Sequence, residues 1–377
     1  MQTDMHYYAT YAMARAAGLS EEDCYLIAYA AQFVDDNAAG EFVEFDDGAR
    51  IDTEATAHHP VDIKNVGQFD PEDQRKVWVP FHFLPGNEGV EYSERLRCVK
   101  DSLPAQEMIQ NHADHVDKAF GLYLVGIAAH VYADTFSHYG FSGISSEGNK
   151  VDQNSIELRD IDAPIREYIE GKAEKFFEKE TARVEGNPFK KLYNAICRKL
   201  DMVQASVAEL GGALGHGPVA TYPDRPFLTW QFNYERENQA SGVRNNSATF
   251  LDGCKKLHQI FAYVKARVER DTGRGGSGKS FEYIQSSVET ILKTEAGKQG
   301  RIDAWQKAAR SGAFGITAPI PEYHHNHWKS QWEDLKANHT RSNQAIDTDI
   351  FKFYCAAAYH RNYVIRDLLP KYGLIID

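Results

Sequence analysis

The sequence predicts an all-α fold, a multi-helix domain with long irregular insertions, and three observations predict it. Apolar residues recur at helical spacing through most of the chain, start and stop signals punctuate that pattern, and no series of period-2 segments and no internal repeat stands out. With 377 residues, 42% of them hydrophobic and 25% charged, the chain has ordinary globular composition, which excludes a disordered, collagen-like or disulfide-stapled protein.

Residues 7–17, rich in Ala, Tyr and Met, read as a helix closed by Gly18. Ser20-Glu-Glu-Asp23 has the form of a capping box and opens a second helix to about residue 34. Residues 37–104 lose the period and fill with Gly, Pro and acidic side chains, long enough to be functional or to carry short strands. Within them, residues 77–86 are too apolar for an exposed linker and read as an extended segment buried against the helices. Helices resume at 105–118 and 120–139, the second stopped by Gly140 and Gly143. A polar loop over 144–160 precedes helices at 163–182 and 188–210, the latter closed by Gly211-Gly212. The proline-containing stretch 215–233 is irregular, and helices follow at about 244–270, 280–296, 301–311, 327–338 and 346–368. This organisation divides the chain into a helical core over 1–243, with inserted loops 37–104 and 144–160, and a C-terminal helical extension over 244–377 that packs on it.

Several function classes drop out on composition. The net charge of −12 gives no electrostatic footprint for duplex nucleic acid. The longest apolar run in a candidate helix, residues 121–129, is about half of what a bilayer span requires, so no transmembrane segment is expected. No basic segment precedes an apolar core at the N-terminus, which predicts a cytoplasmic protein or export by a route without a visible signal. Five scattered cysteines without a CxxC fit thiols in a reducing compartment. Histidine is the unusual residue: there are 15, several of them clustered, and histidine is the commonest metal ligand.

The sharpest cluster lies in GLYLVGIAAHVYADTFSHYGFSG, where His130, Asp134 and His138 stand at i, i+4 and i+8. Successive members are displaced by about 40° around a helix, so the three share one face. His130 and His138 are separated by a rise of about 12 Å, too far for one ion, whereas a carboxylate between them has two oxygens. The spacing therefore suggests two adjacent metals bridged by Asp134. A solvated polar stripe or a structural hydrogen-bond ladder would show the same spacing. The apolar flanks, from Leu122 to Ala133, favour a buried face, where unpaired charge is expensive. Further ligands in apolar surroundings are His6 beside Asp4, Asp35-Asp36 at the end of the second helix, His82 in Pro-Phe-His-Phe-Leu-Pro, His216 in Leu-Gly-His-Gly-Pro, and Asp224 in Tyr-Pro-Asp-Arg-Pro. Taken singly, each reads equally well as a hydrogen-bonded core residue.

This set resembles the all-helical zinc-dependent phospholipase C and single-strand nuclease superfamily. More closely, Tyr29-Ala-Ala-Gln-Phe-Val-Asp-Asp-Asn37, Phe81-His-Phe-Leu-Pro-Gly86, residues 130–143 and the run from Gly215-His-Gly to Tyr222-Pro-Asp-Arg-Pro resemble an uncharacterised bacterial family of unknown function related to those enzymes, over about residues 4–235. The resemblance implies a phospholipase C- or nuclease-like helical domain in which His130 and Asp134 are the His-x3-Asp pair and Asp134 bridges. His6 becomes the N-terminal ligand, Asp35 or Asp36 the early aspartate, and His82 the isolated histidine. The chain departs from the pattern at His138, which follows the aspartate by four residues rather than six, and at His216 and Asp224, which are eight apart instead of four. It also lacks the processed N-terminal tryptophan whose amine binds zinc in the secreted enzymes. Two zinc ions follow, with the ligand count leaving room for a third.

The implied activity is hydrolysis of a phosphoester in a small molecule or a lipid head group by metal-activated water. Whichever of Asp35 and Asp36 is not a ligand would be the catalytic base. The alternative is a non-catalytic helical module stapled by metal, with a partner protein on its C-terminal third. Gly273-Arg-Gly-Gly-Ser-Gly278-Lys279-Ser280 matches the phosphate-loop pattern, but helical rather than strand periodicity precedes it, which favours a Gly-rich linker. His324-His-Asn-His327 reads as an exposed helix start, and His112 and His115 as solvent-facing.

Overall fold

In the computed structural model the described residues are 1–38, 40–57, 73–185, 214–235, 239–315, 317–337 and 342–376. The expected helix at 188–210 with its Gly211-Gly212 stop, His58-His59 and Cys197 lie outside them.

The organising element is the helix Gly121–His138, buried along its length except at Leu122. A helix apolar around most of its circumference is stable only when other helices surround it. Glu21–Asp36, Leu103–Asp114, Asn246–Thr272 and Asp349–Asn362 do so. The approach to Glu21–Asp36 is close because Gly126 has no side chain: a Cβ there would stand 2.5 Å from the Ile27 carbonyl oxygen and 2.6 Å from the Ala30 Cβ. The first helical segment, Asp4–Ala9 continuing as Thr10–Ala16, packs on Glu21–Asp36 and on Asn246–Thr272. One apolar core runs from Met5 to Ile376, so residues beyond 244 share it with the N-terminal helices.

Local sequence explains the helix ends. Ser20 Oγ accepts from the Asp23 amide at 3.1 Å, Ser102 from Ala105 at 3.3 Å, Asn245 from Ala248 at 3.0 Å and Thr348 from Phe351 at 3.3 Å. Each satisfies an N-terminal amide that the helix itself leaves without a partner.

The fold is not all-α. It is helix-rich but mixed, 58% helix and 9% strand, with two antiparallel sheets among the described residues. A hairpin pairs Phe42–Glu44 with Arg50–Asp52 inside the first irregular stretch. A four-stranded sheet joins Val151–Arg159, Thr229–Tyr234, Gln239–Ala240 and Arg244–Asn245. The expected polar loop and irregular stretch both hold strands of this sheet, for identifiable reasons. Val151–Arg159 buries only Val151 and Leu158, so its polar surface hides the alternation. Thr229–Tyr234 does alternate, with Trp230, Phe232 and Tyr234 buried, but it lies just past three prolines whose turn signal dominates the segment. These residues and Phe141 form a second apolar cluster beyond the end of the central helix.

Three further readings change. Residues 77–86 are buried but extended only at their end: Gln74–Trp78 and Val79–Phe81 are helical turns, the first a wide π-turn, and Pro85 pairs with Cys98 in an antiparallel bridge. His112 does not face solvent; it is fully buried, with Nε2 2.8 Å from His360 Nδ1. The glycine-rich 273–280 segment joins two helices, and its Gly276 and Lys279 amides donate to the carbonyls of Gly18 and Ala16 at 2.8 and 2.6 Å. These two amides are thus engaged at the end of the first helix. No helix of the described residues is long and apolar enough to cross a membrane.

Candidate metal centre

His130, Asp134 and His138 lie buried on one face of the central helix, at 0, 1 and 3% exposure. Around that face converge His6, the end of Glu21–Asp36, His82 and the 214–224 segment.

Four imidazoles share one feature. His130 Nδ1 lies 2.7 Å from the Ala31 carbonyl oxygen, His82 Nε2 2.8 Å from that of Thr56, His138 Nδ1 2.9 Å from that of His82, and His216 Nδ1 2.7 Å from that of Ala220. A carbonyl only accepts, so each of these nitrogens carries a proton, and in the neutral ring the other nitrogen presents a lone pair. Those lone pairs meet acceptors. His130 Nε2 is 3.3 Å from His82 Nδ1 and 3.2 Å from Asp134 Oδ2, and His138 Nε2 is 3.3 Å from Asp224 Oδ1. Acceptor against acceptor in a buried space is unfavourable without a cation, and backbone-anchored tautomers are how proteins aim metal-binding imidazoles.

The carboxylates complete the arrangement. Asp134 divides its oxygens, Oδ1 facing His6 Nε2 at 3.2 Å and Oδ2 facing His130, with His82 and His138 at 3.6 Å. Neither ring nitrogen of His6 nor Asp134 Oδ2 has a hydrogen-bond partner among the described residues, although all are buried. Asp35 Oδ1 lies 3.8 Å from both His82 Nδ1 and His130 Nε2. The Met1 amine stands between carboxylates, 2.8 Å from Asp134 Oδ1 and 3.3 Å from Asp224 Oδ1. Three groups could each hold an ion, with ligand atoms within 4.8 Å of one another: His6–His130–Asp134, Asp35–His82–His130 and His138–His216–Asp224. The donors and the orphaned atoms fit a metal.

Titration behaviour reflects this electrostatic concentration. Burial alone would raise the Asp134 and Asp224 carboxyls, but the histidines and the Met1 amine hold both well below the usual range. Burial lowers the amine, and the Asp134, Asp224 and Asp35 charges override it, pushing its pKa up to about 11. Burial brings His6 and His216 down to about 4, which keeps them neutral and ligand-ready. His82 moves up, because Asp134 and Asp35 outweigh its burial.

Local sequence aims several of these groups. Gly215, at φ 54, places His216 beside the Phe83 ring, and a Cβ there would come within 2.5 Å of Phe83 Cζ. Phe83 in turn stacks on His138. Arg301 donates to both oxygens of Asp4, at 2.7 and 3.0 Å, and to Gln2 Oε1 at 2.6 Å, fixing the segment that carries His6. Nothing in sequence spacing links Arg301 to this site.

Seven of the residues singled out from the sequence therefore converge: His6, Asp35, His82, His130, Asp134, His138 and His216, with Asp224 as an eighth. Asp36 does not. Its Oδ2 accepts from Tyr323 Oη at 2.6 Å and from Gln32 at 3.4 Å, and it faces a separate cleft. Consecutive helical residues diverge by about 100°, so only one of the two aspartates can face the central helix. Asp35 is 31% exposed and opens the cluster to a cleft of about 480 Å³.

The model of a family of unknown function, DUF6765, matches residues 1–368, and the chain belongs to that family. The match includes the C-terminal third, which the motifs at 4–235 do not reach. No curated protein and no solved structure matches the chain.

Proposed function

We propose, for a member of a family without an assigned function, that this chain is a zinc-dependent hydrolase of phosphoester bonds related to the helical phospholipase C and single-strand nuclease enzymes. The observation that carries the reading is the meeting of His130 Nε2, His82 Nδ1 and Asp134 Oδ2 in a buried space, on two rings whose other nitrogens donate to backbone carbonyls. Neutral imidazole and carboxylate are the donor set zinc prefers. Bound there, zinc would polarise a phosphoryl oxygen and lower the pKa of water towards neutrality.

The chain's own residues supply the rest. The Ala31, Thr56, His82 and Ala220 carbonyls each fix which nitrogen of an imidazole donates, Nδ1 in His130, His138 and His216 and Nε2 in His82. Asp134 faces two nitrogen groups with separate oxygens and so fixes the spacing of two sites. Asp35, the most exposed member of the cluster, is positioned to hold a proton from water in the cleft.

The cluster also ties together widely separated segments, which favours a second reading, a metal-stapled interaction module. A structural metal site is closed, whereas Asp35 opens to solvent, and this supports the enzyme. Elemental analysis of the purified chain, then a phosphodiester and phosphomonoester panel on wild type and Asp134→Asn, tests both. Bound zinc with turnover that Asp134→Asn abolishes is the expected result. Bound metal with no turnover on any ester leaves the staple, and a metal-free protein overturns both.

A further inference from the structure

The cleft onto which Asp35 opens holds three cations that form no ion pair among the described residues. Its lining includes Tyr168, Lys172, Arg225 and Lys298. Arg225 is 5% exposed; its Nη2 donates to Thr221 Oγ1 at 3.1 Å, and its Nε is buried with no hydrogen-bond partner. The guanidinium carbon and Lys172 Nζ lie 5.7 and 5.8 Å from the centre of the Tyr168 ring. None of the three cations forms an ion pair with a described carboxylate, although the chain carries 54 acidic side chains against 42 basic ones. A buried guanidinium with a donor left over is costly unless an anion arrives to take it.

We propose that this cleft binds a second anionic group of the substrate, so that the hydrolase acts on a small soluble phosphoester carrying a further phosphate or carboxylate. The inference rests on the hydrolase reading for what happens at the cluster, but the binding it describes is separate. One phosphate meets the cluster beside Asp35, and Arg225, Lys172 and Lys298 hold the other anion. Thr221 and the Tyr168 ring keep Arg225 in place, so little side-chain freedom is lost on binding. Its planar fork suits an oxyanion, while the exposed lysines add charge that salt screens. A substrate whose far end is a cationic head group is repelled by the same three side chains.

Calorimetric titration of the zinc-loaded full chain with fructose 1,6-bisphosphate and fructose 6-phosphate tests this, because the two probes differ only in the second anion. At low ionic strength the bisphosphate should bind at least about tenfold more tightly, and Lys172→Gln/Lys298→Gln should cut that advantage to about threefold or less. Both lysines are surface residues, so the test does not depend on whether a variant of buried Arg225 folds. Equal affinities in wild type, no binding of either probe, or an advantage unchanged in the double variant would each overturn the proposal. Absence of ester hydrolysis would sink the reaction while leaving this affinity ratio readable. Co-sedimentation with phosphatidic acid vesicles that excess bisphosphate does not reverse would overturn the soluble class in favour of a membrane surface.

Discussion

His130 Nε2 and His82 Nδ1 stand 3.3 Å apart, and each ring has already committed its proton to a backbone carbonyl, of Ala31 and of Thr56. Two lone pairs are thus aimed at one point, with Asp134 Oδ2 also within 3.2 to 3.6 Å of both. A shared cation would resolve that geometry, and the first prediction concerns its removal. Chelation of a metal present at about a thousand times its dissociation constant removes about 4 kcal/mol of stability, equivalent to about 5 °C in Tm for a chain of this length. Scanning calorimetry with and without chelator measures the shift; identical Tm values would show that the cluster holds no stabilising ion.

Asp134→Asn should lower bound metal by at least one ion per chain. The amide can accept through only one atom, whereas Asp134 presents one oxygen to His6 and the other to His130. Mass-spectrometric metal counting on the purified variant decides this, and an unchanged count would refute the bridging role.

Asp35 and Asp36 should separate cleanly. Asp36 is engaged by Tyr323, so Asp36→Asn should keep the wild-type metal count and cost at most about 1 kcal/mol. Asp35→Asn should lower kcat/KM by about a hundredfold if Asp35 handles the proton. A reversed pattern, with activity lost at Asp36, would remove Asp35 from the mechanism.

Gly126→Ala tests how the site is positioned. The added methyl meets the Ile27 carbonyl oxygen at 2.5 Å, so the two helices must separate, and the His130–Ala31 bond spans that same contact. Destabilisation of about 1–3 kcal/mol is expected, with weaker zinc binding. Denaturant titration together with a zinc titration checks both; unchanged zinc affinity would mean that the carbonyl is not what aims the ring.

The buried pair of His112 and His360 should make the protein acid-sensitive. Burial lowers the His360 pKa from 6.5 to about 4, and its Nε2 lies 2.8 Å from the Pro80 carbonyl oxygen, which the neutral ring satisfies. The folded pKa lies below the unfolded one, so protonation favours unfolding. The contribution is complete above pH 6.5 and is lost as pH falls towards 4. Between pH 7 and 5 the loss from this one ring is about 2 kcal/mol. In His360→Gln the stability drop over that interval should be smaller by about that amount, measured by urea unfolding at the two pH values.

Helical periodicity alone puts His130, Asp134 and His138 on one face, and the apolar residues between them require that face to be buried. His216, in the apolar setting of Leu-Gly-His-Gly-Pro, likewise stands out as a candidate, and it lies beside the Phe83 ring. Side-chain direction along a single helix is set by local geometry, so these features are legible without knowing the fold. The strands of the four-stranded sheet were not legible, because Val151–Arg159 shows water a polar surface and Thr229–Tyr234 follows prolines.

Tertiary structure decided everything that depends on partners remote in sequence. The carbonyl that fixes the His130 tautomer lies 99 residues away, and Arg301, which anchors Asp4, lies 297 residues away. Which of two adjacent aspartates faces the cluster follows from how Glu21–Asp36 is rotated against the central helix, a matter of packing at Gly126. The unpaired charge of Arg225 is likewise a property of the cleft it lines. Residue identity determines which atoms can ligate, donate or accept; only their convergence in space determines what they have left to bind.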